Sequence, residues 1–87
     1  MDINTVWNKI KEHEGEVFYT IRGNAYKYAV YDDFLLVENK KNRKVSKESI
    51  EKAGKIENPN PSKIGSEGCW GPSYIYGIIT DKRIKGI

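Results

Sequence analysis

Apolar side chains recur along this chain with two different periods. Ile3, Val6, Trp7 and Ile10 fall at i, i+3, i+4 and i+7, with Asn4, Lys9, Lys11 and Glu12 between them, which is the pattern of an amphipathic helix. Asp2 stands where an N-cap carboxylate accepts free N–H groups, and Gly15 offers a left-handed stop. The helix is expected at about residues 2–13, with Trp7 as its core anchor. From Glu16 the period changes to two. Val17, Tyr19 and Ile21 are expected on one face of a strand, with Phe18 and Thr20 on the other. Arg22-Gly23-Asn24 reads as a turn, and residues 25–31 alternate again, Tyr26, Tyr28 and Val30 opposite Lys27, Ala29 and Tyr31. Asp32-Asp33 makes a second tight turn before a third strand, Phe34-Leu35-Leu36-Val37.

The second half is more broken. Residues 39–44 form a basic loop, and Val45 adds a short edge pairing. Ser46 is a good N-cap for a short helix near 47–55, with Ile50, Ala53 and Ile56 as its weak apolar side. Asn58-Pro59-Asn60-Pro61-Ser62 is expected to interrupt regular structure, Ile64 to return to the core, and residues 65–68 to be flexible. The most apolar run follows, Gly71-Pro72-Ser73-Tyr74-Ile75-Tyr76-Gly77-Ile78-Ile79. Gly71 serves as N-cap and Pro72 suits the first helical position, so a closing helix is predicted near 72–80. Short turns join antiparallel neighbours. The predicted fold is therefore α+β, a three-stranded antiparallel meander with helices on one face, in the order α-β-β-β-α-α. Tyr19 is expected to share a face with Tyr26 and Tyr28, leaving Phe18, Thr20, Ala29, Tyr31, Leu35 and Val37 on a second face that needs a cover.

Composition narrows the function classes. The chain of 87 residues is sized for one domain, and 38% hydrophobic with 31% charged residues suits a globular protein. No run approaches the roughly 20 apolar residues of a membrane span. Asp2 and Glu12 stand where a secretory signal would be apolar, and the lone Cys69 fits a reducing compartment, so the cytoplasm is the expected location. The net charge of +3 conceals an asymmetry: residues 1–38 carry four basic and seven acidic side chains, residues 39–87 eleven basic and five acidic. Such polarity bears on partners more than the total does.

Catalytic patterns are thin. His13 and Cys69 are too few ligands for a closed zinc site and lie in no local thiol–imidazole motif. Glu38-Asn39-Lys40 has the Glu-x-Lys form of a magnesium-dependent nuclease, with Asp32-Asp33 upstream. Those acids sit at opposite ends of one strand, however, and at about 3.4 Å per residue Asp33 and Glu38 stand about 17 Å apart, too far to share an ion. Gly65, Gly68 and Gly71 follow no dinucleotide pattern. No metal, cofactor or enzymatic activity is expected.

Binding chemistry is better represented. Lys40, Lys41, Arg43, Lys44 and Lys47 cluster beside a tyrosine-rich sheet, a combination that neutralises phosphates and stacks on unpaired bases. Trp70 and Tyr76, beside a glycine-rich segment, and Arg83 near the C-terminal end are candidates for a protein partner.

Glu16-Val17-Phe18-Tyr19-Thr20, Tyr26 and Tyr28, Ser46, residues 71–79 and Asp81-Lys82-Arg83-Ile84 together span most of the chain. In these the sequence resembles a small α+β domain of bacteria and phages. That domain carries Glu-x-Phe-x-Thr in its first strand and a C-terminal Gly-Pro-Ser-Tyr run followed by Asp-x-Arg-Ile. Glu16, Phe18 and Thr20 stand at the spacing of that first-strand pattern, and the C-terminal motif fits well. The resemblance implies a nucleic-acid or defence setting and carries no activity to transfer. The expected function is a non-enzymatic module that contacts nucleic acid through the basic loop. The alternative is a protein-binding adaptor or a phage-encoded inhibitor of a host defence enzyme. No membrane partner is expected, and the oligomeric state stays open.

Overall fold

The computed structural model describes residues 2–38 and 43–85, with Arg43 described by its backbone. In chain order the elements are α1 (Ile3–Glu12), β1 (Phe18–Tyr19), β2 (Ala25–Val30), β3 (Phe34–Glu38), β4 (Arg43–Ser46), α2 (Lys47–Gly54), α3 (Pro61–Ser66), α4 (Pro72–Ile79) and α5 (Lys82–Lys85). The strands form one antiparallel sheet in the order β1-β2-β3-β4, and the helices cover one of its faces. The architecture is α+β, as the two periodicities imply.

Local chemistry accounts for most element ends. Asp2 Oδ1 accepts the Asn4 N–H at 3.2 Å, and Val6, Trp7 and Ile10 carry the buried stripe of α1. Gly15, with φ +83°, turns the chain out of that helix, and its N–H donates to the Tyr28 carbonyl at 3.1 Å. Ser46 Oγ accepts the Ser49 N–H at 3.0 Å and starts α2.

A single hydrophobic cluster joins the inner face of the sheet to all five helices among the described residues. Phe18, Tyr28, Leu35 and Val37 enter it from the strands, and Ile10, Ile50, Ile64, Ile75 and Ile78 from the helices, each fully buried. Two tyrosines keep their hydroxyls satisfied there: Tyr28 donates to the Ile10 carbonyl and Tyr26 to the Tyr74 carbonyl, each at 2.7 Å. Burial pushes both phenols above their ordinary pKa.

Three expectations change. First, the sheet has four strands, not three. The pairing anticipated at Val45 extends over Arg43–Ser46, with Leu35 opposite Val45 and Phe34 opposite Ser46. Second, the segment read as a break contains α3. Asn60 Oδ1 accepts the Lys63 N–H at 2.8 Å, and Pro61 occupies the first turn, where its missing N–H removes no bond. Ile64 then enters the core as expected, and Gly65, expected to be flexible, is helical, while α5 adds a last short helix.

Third, the faces of the strands are assigned differently. Residues directly opposite in an antiparallel pair share a face. Phe18 pairs with Tyr26, Tyr28 with Val37 and Val30 with Leu35, so Phe18, Leu35 and Val37 join Tyr26 and Tyr28 inside. Tyr19 lies outside with Ala29 and Tyr31. The helices therefore cover the face that carries most of the large apolar side chains.

Candidate nucleic-acid interface

The outer face of the sheet has no helix over it among the described residues. It is built from Tyr19, Lys27, Ala29, Tyr31, Phe34, Leu36, Glu38 and Lys44, which alternate with the core positions along each strand. The two-residue loop Asp32-Asp33 sets Tyr31 against Phe34, and the Tyr31 N–H donates to the Phe34 carbonyl at 2.8 Å. Their rings stack with centroids 5.0 Å apart and planes 13° from parallel. Lys44 Nζ lies 4.3 Å from the Phe34 ring centroid, a cation over an aromatic face. Tyr31 remains 49% exposed, so this ring pair is reachable from solvent.

Charges of both signs are spread along this face. Lys27 lies near the β3–β4 connection, whose sequence holds Lys40 and Lys41, while Lys44 Nζ reaches over Phe34 beside the Asp32-Asp33 turn at the opposite end. Lys27 pairs across the strands with Glu38.

The five cations grouped by sequence do not all share this surface. Lys40 and Lys41 lie outside the described residues, and Arg43 pairs by its backbone with Val37. Lys44 is on the outer face. Lys47, the first residue of α2, turns instead towards α1, its Nζ 3.3 Å from Asn4 Oδ1 and 6.0 Å from the Trp7 ring centroid. The change from strand to helix at Ser46 separates two lysines that are three residues apart in sequence.

The three residues proposed for a protein partner also diverge. Trp70 is 39% exposed and stacks on Tyr74 with centroids 6.2 Å apart. Tyr76 is half-buried and packs against the core cluster. Arg83 is held within the chain. Its Nε and Nη2 donate to the two Asp81 carboxylate oxygens, both at 2.9 Å, Nη1 donates to Glu16 Oε1 at 3.0 Å, and Nη2 also donates to the Val17 carbonyl at 2.8 Å. The guanidinium lies 3.8 Å from the Phe18 ring centroid. Hydrogen bonding to Arg83 holds the Asp81 carboxyl below its ordinary pKa, and the bonds from His13 and then Arg83 do the same for Glu16.

Sequence reasoning overlooked Phe34 as a surface residue and the Tyr31–Phe34 pair as a unit. The signal was present, because a two-residue loop places its flanking residues directly opposite one another. As for catalytic groups, His13 Nδ1 lies 3.0 Å from Glu16 Oε2, and the Cys69 thiol is buried 3.6 Å from the Ser49 carbonyl oxygen, so each has its own partner. Among the described residues, no group of three or more His, Cys, Asp or Glu gathers as a metal site. No described helix is long and apolar enough to cross a membrane. No family model, curated protein or solved structure matches the chain.

Proposed function

We propose that this chain is a small non-enzymatic binding module that takes nucleic acid on the outer face of its sheet. The observation that carries this reading is the Tyr31–Phe34 ring stack on an uncovered face that also bears Lys44 and Lys27. Aromatic rings on such a face stack on unpaired bases, and lysines beside them neutralise the phosphates that join those bases. The sequence that connects β3 to β4 holds two further lysines, Lys40 and Lys41. The sequence resemblance supports a bacterial or phage nucleic-acid-processing or defence setting in the cytoplasm.

Salt-titrated binding to single- and double-stranded DNA and RNA tests this. Affinity should fall steeply with salt, and Lys44→Ala should flatten the log–log slope by about one unit if it contacts one phosphate. Phe34→Ala should weaken binding by about 1–3 kcal/mol with the slope unchanged, as loss of stacking does. Absence of binding to every one of these at low salt rejects the reading.

A protein-binding role, as an adaptor or an inhibitor of a defence enzyme, is supported by the exposed Trp70 on Tyr74. It becomes the better reading if nucleic acid fails to bind and Trp70→Ala abolishes association with a defined partner.

A further inference from the structure

On the helical side of the molecule, away from the sheet's outer face, a groove of about 700 Å³ opens between α1, the end of α2 and the ends of α4 and α5. That volume falls within the usual range of small-molecule sites. Its floor is aliphatic: Val6, Ala53, Ile56, Ile79 and Ile84. These include core residues, so the groove is a place where the core reaches the surface along one stripe of α1.

The rim is unlike the floor. Lys9 on α1 and Lys85 on α5 line it, and neither is in an ion pair among the described residues. The carboxylate at the rim, Asp2, is already engaged: it accepts the Asn4 N–H at 3.2 Å and the Thr5 hydroxyl at 2.7 Å. Among the described residues the groove therefore presents hydrocarbon below and, above it, two unpaired ammonium groups against one carboxylate, a rim of net positive charge. A ligand complementary to this has an aliphatic body and one anionic end.

We infer that this groove binds a medium-chain aliphatic carboxylate, the chain lying over Val6, Ile56, Ile79 and Ile84 and the carboxylate held by Lys9 and Lys85. Burying the chain supplies the affinity, and the lysines select the charge at its end. The site is separate from the nucleic-acid face, and its success or failure leaves that reading untouched.

The test is a methyl-resolved NMR titration of the whole chain with decanoate, below its micelle concentration, against decanol and decylammonium. Decanoate should shift the methyl signals of Val6, Ile56, Ile79 and Ile84 saturably and bind more tightly than either control. Lys9→Met with Lys85→Met removes both charges while keeping side chains of similar length, and should weaken decanoate binding about tenfold while leaving decanol unchanged. Equal binding of decylammonium, shifts scattered away from these methyls, or no effect of the lysine changes overturns the proposal.

Discussion

Gly77 on α4 approaches the backbone of β1 so closely that a Cβ built on it falls 2.3 Å from the carbonyl oxygen of Tyr19. The same Cβ would stand 2.7 Å from the Tyr26 hydroxyl. This position has room for hydrogen only. The Tyr26 hydroxyl donates to the Tyr74 carbonyl at 2.7 Å, one turn earlier on the same helix, so α4 is both pressed against and bonded to the first hairpin.

Gly77→Ala should therefore destabilise the protein by about 2 kcal/mol or more through overpacking, despite alanine's better helix propensity. Gly65→Ala on α3 is the matched control, because its new Cβ meets Pro72 Cγ at an ordinary 3.7 Å. It should stabilise by about 0.5–1 kcal/mol. Urea unfolding of the two variants measures this, and equal shifts of their midpoints would refute the close-approach argument.

Tyr26→Phe removes a partly buried hydrogen bond and leaves the ring in place. The expected loss is about 1 kcal/mol, and Tyr28→Phe should lose a similar amount from its bond to the Ile10 carbonyl. The ring contact between Tyr26 and Tyr74, edge-on at 5.0 Å, should survive in Tyr26→Phe. Unchanged thermal stability in both variants would count against these bonds.

Arg83 predicts a pH dependence. Its partners Asp81 and Glu16 have folded pKa values below their usual 3.8 and 4.5. Carboxylates so lowered contribute stability that is fully present above those usual values and lost as pH falls through the folded ones. Arg83→Met should be less stable than the parent at pH 7, through loss of the hydrogen bonds to Asp81, Glu16 and the Val17 carbonyl, a loss reduced by solvent screening. The gap should narrow below about pH 4 as the carboxylates protonate. A gap constant from pH 7 to pH 3 would show that packing on Phe18, not charge, is what Arg83 contributes.

The two faces of the sheet should respond differently to truncation. Leu35→Ala empties a fully buried site and should lose about 2–5 kcal/mol. Phe34→Ala, the adjacent residue on the outer face, should lose about 1 kcal/mol, the scale of one cross-strand pair. Should Phe34→Ala prove as damaging as Leu35→Ala in chemical denaturation, the outer rings would be structural and the binding surface misplaced.

How legible the fold was in the sequence depended on how local each signal is. α1 and α4 announced themselves through apolar spacing and caps, Asp2 and Gly71-Pro72, that act within one turn. α3 is hidden because Pro61 reads locally as a breaker, although proline in a first turn behind an asparagine cap starts a helix. The inward face of β1 was invisible for a different reason. Val17, Tyr19 and Ile21 are as apolar as Phe18, and only pairing with Tyr26 decides which of them turns inward. The candidate site was partly legible: Lys44 was identified by charge alone. Its separation from Lys47 depends on where the backbone changes from strand to helix, which clustering along the sequence does not encode.

The one-sided loading of the sheet has an evolutionary consequence. Since Lys27, Tyr31, Phe34, Leu36 and Lys44 stand on the side opposite the core cluster, they can be exchanged with little effect on the packing that holds the domain together. If the proposed face is the one that binds, ligand preference and folding are written in alternate letters of the same strands, and a lineage carrying this domain is free to retarget it while keeping its architecture.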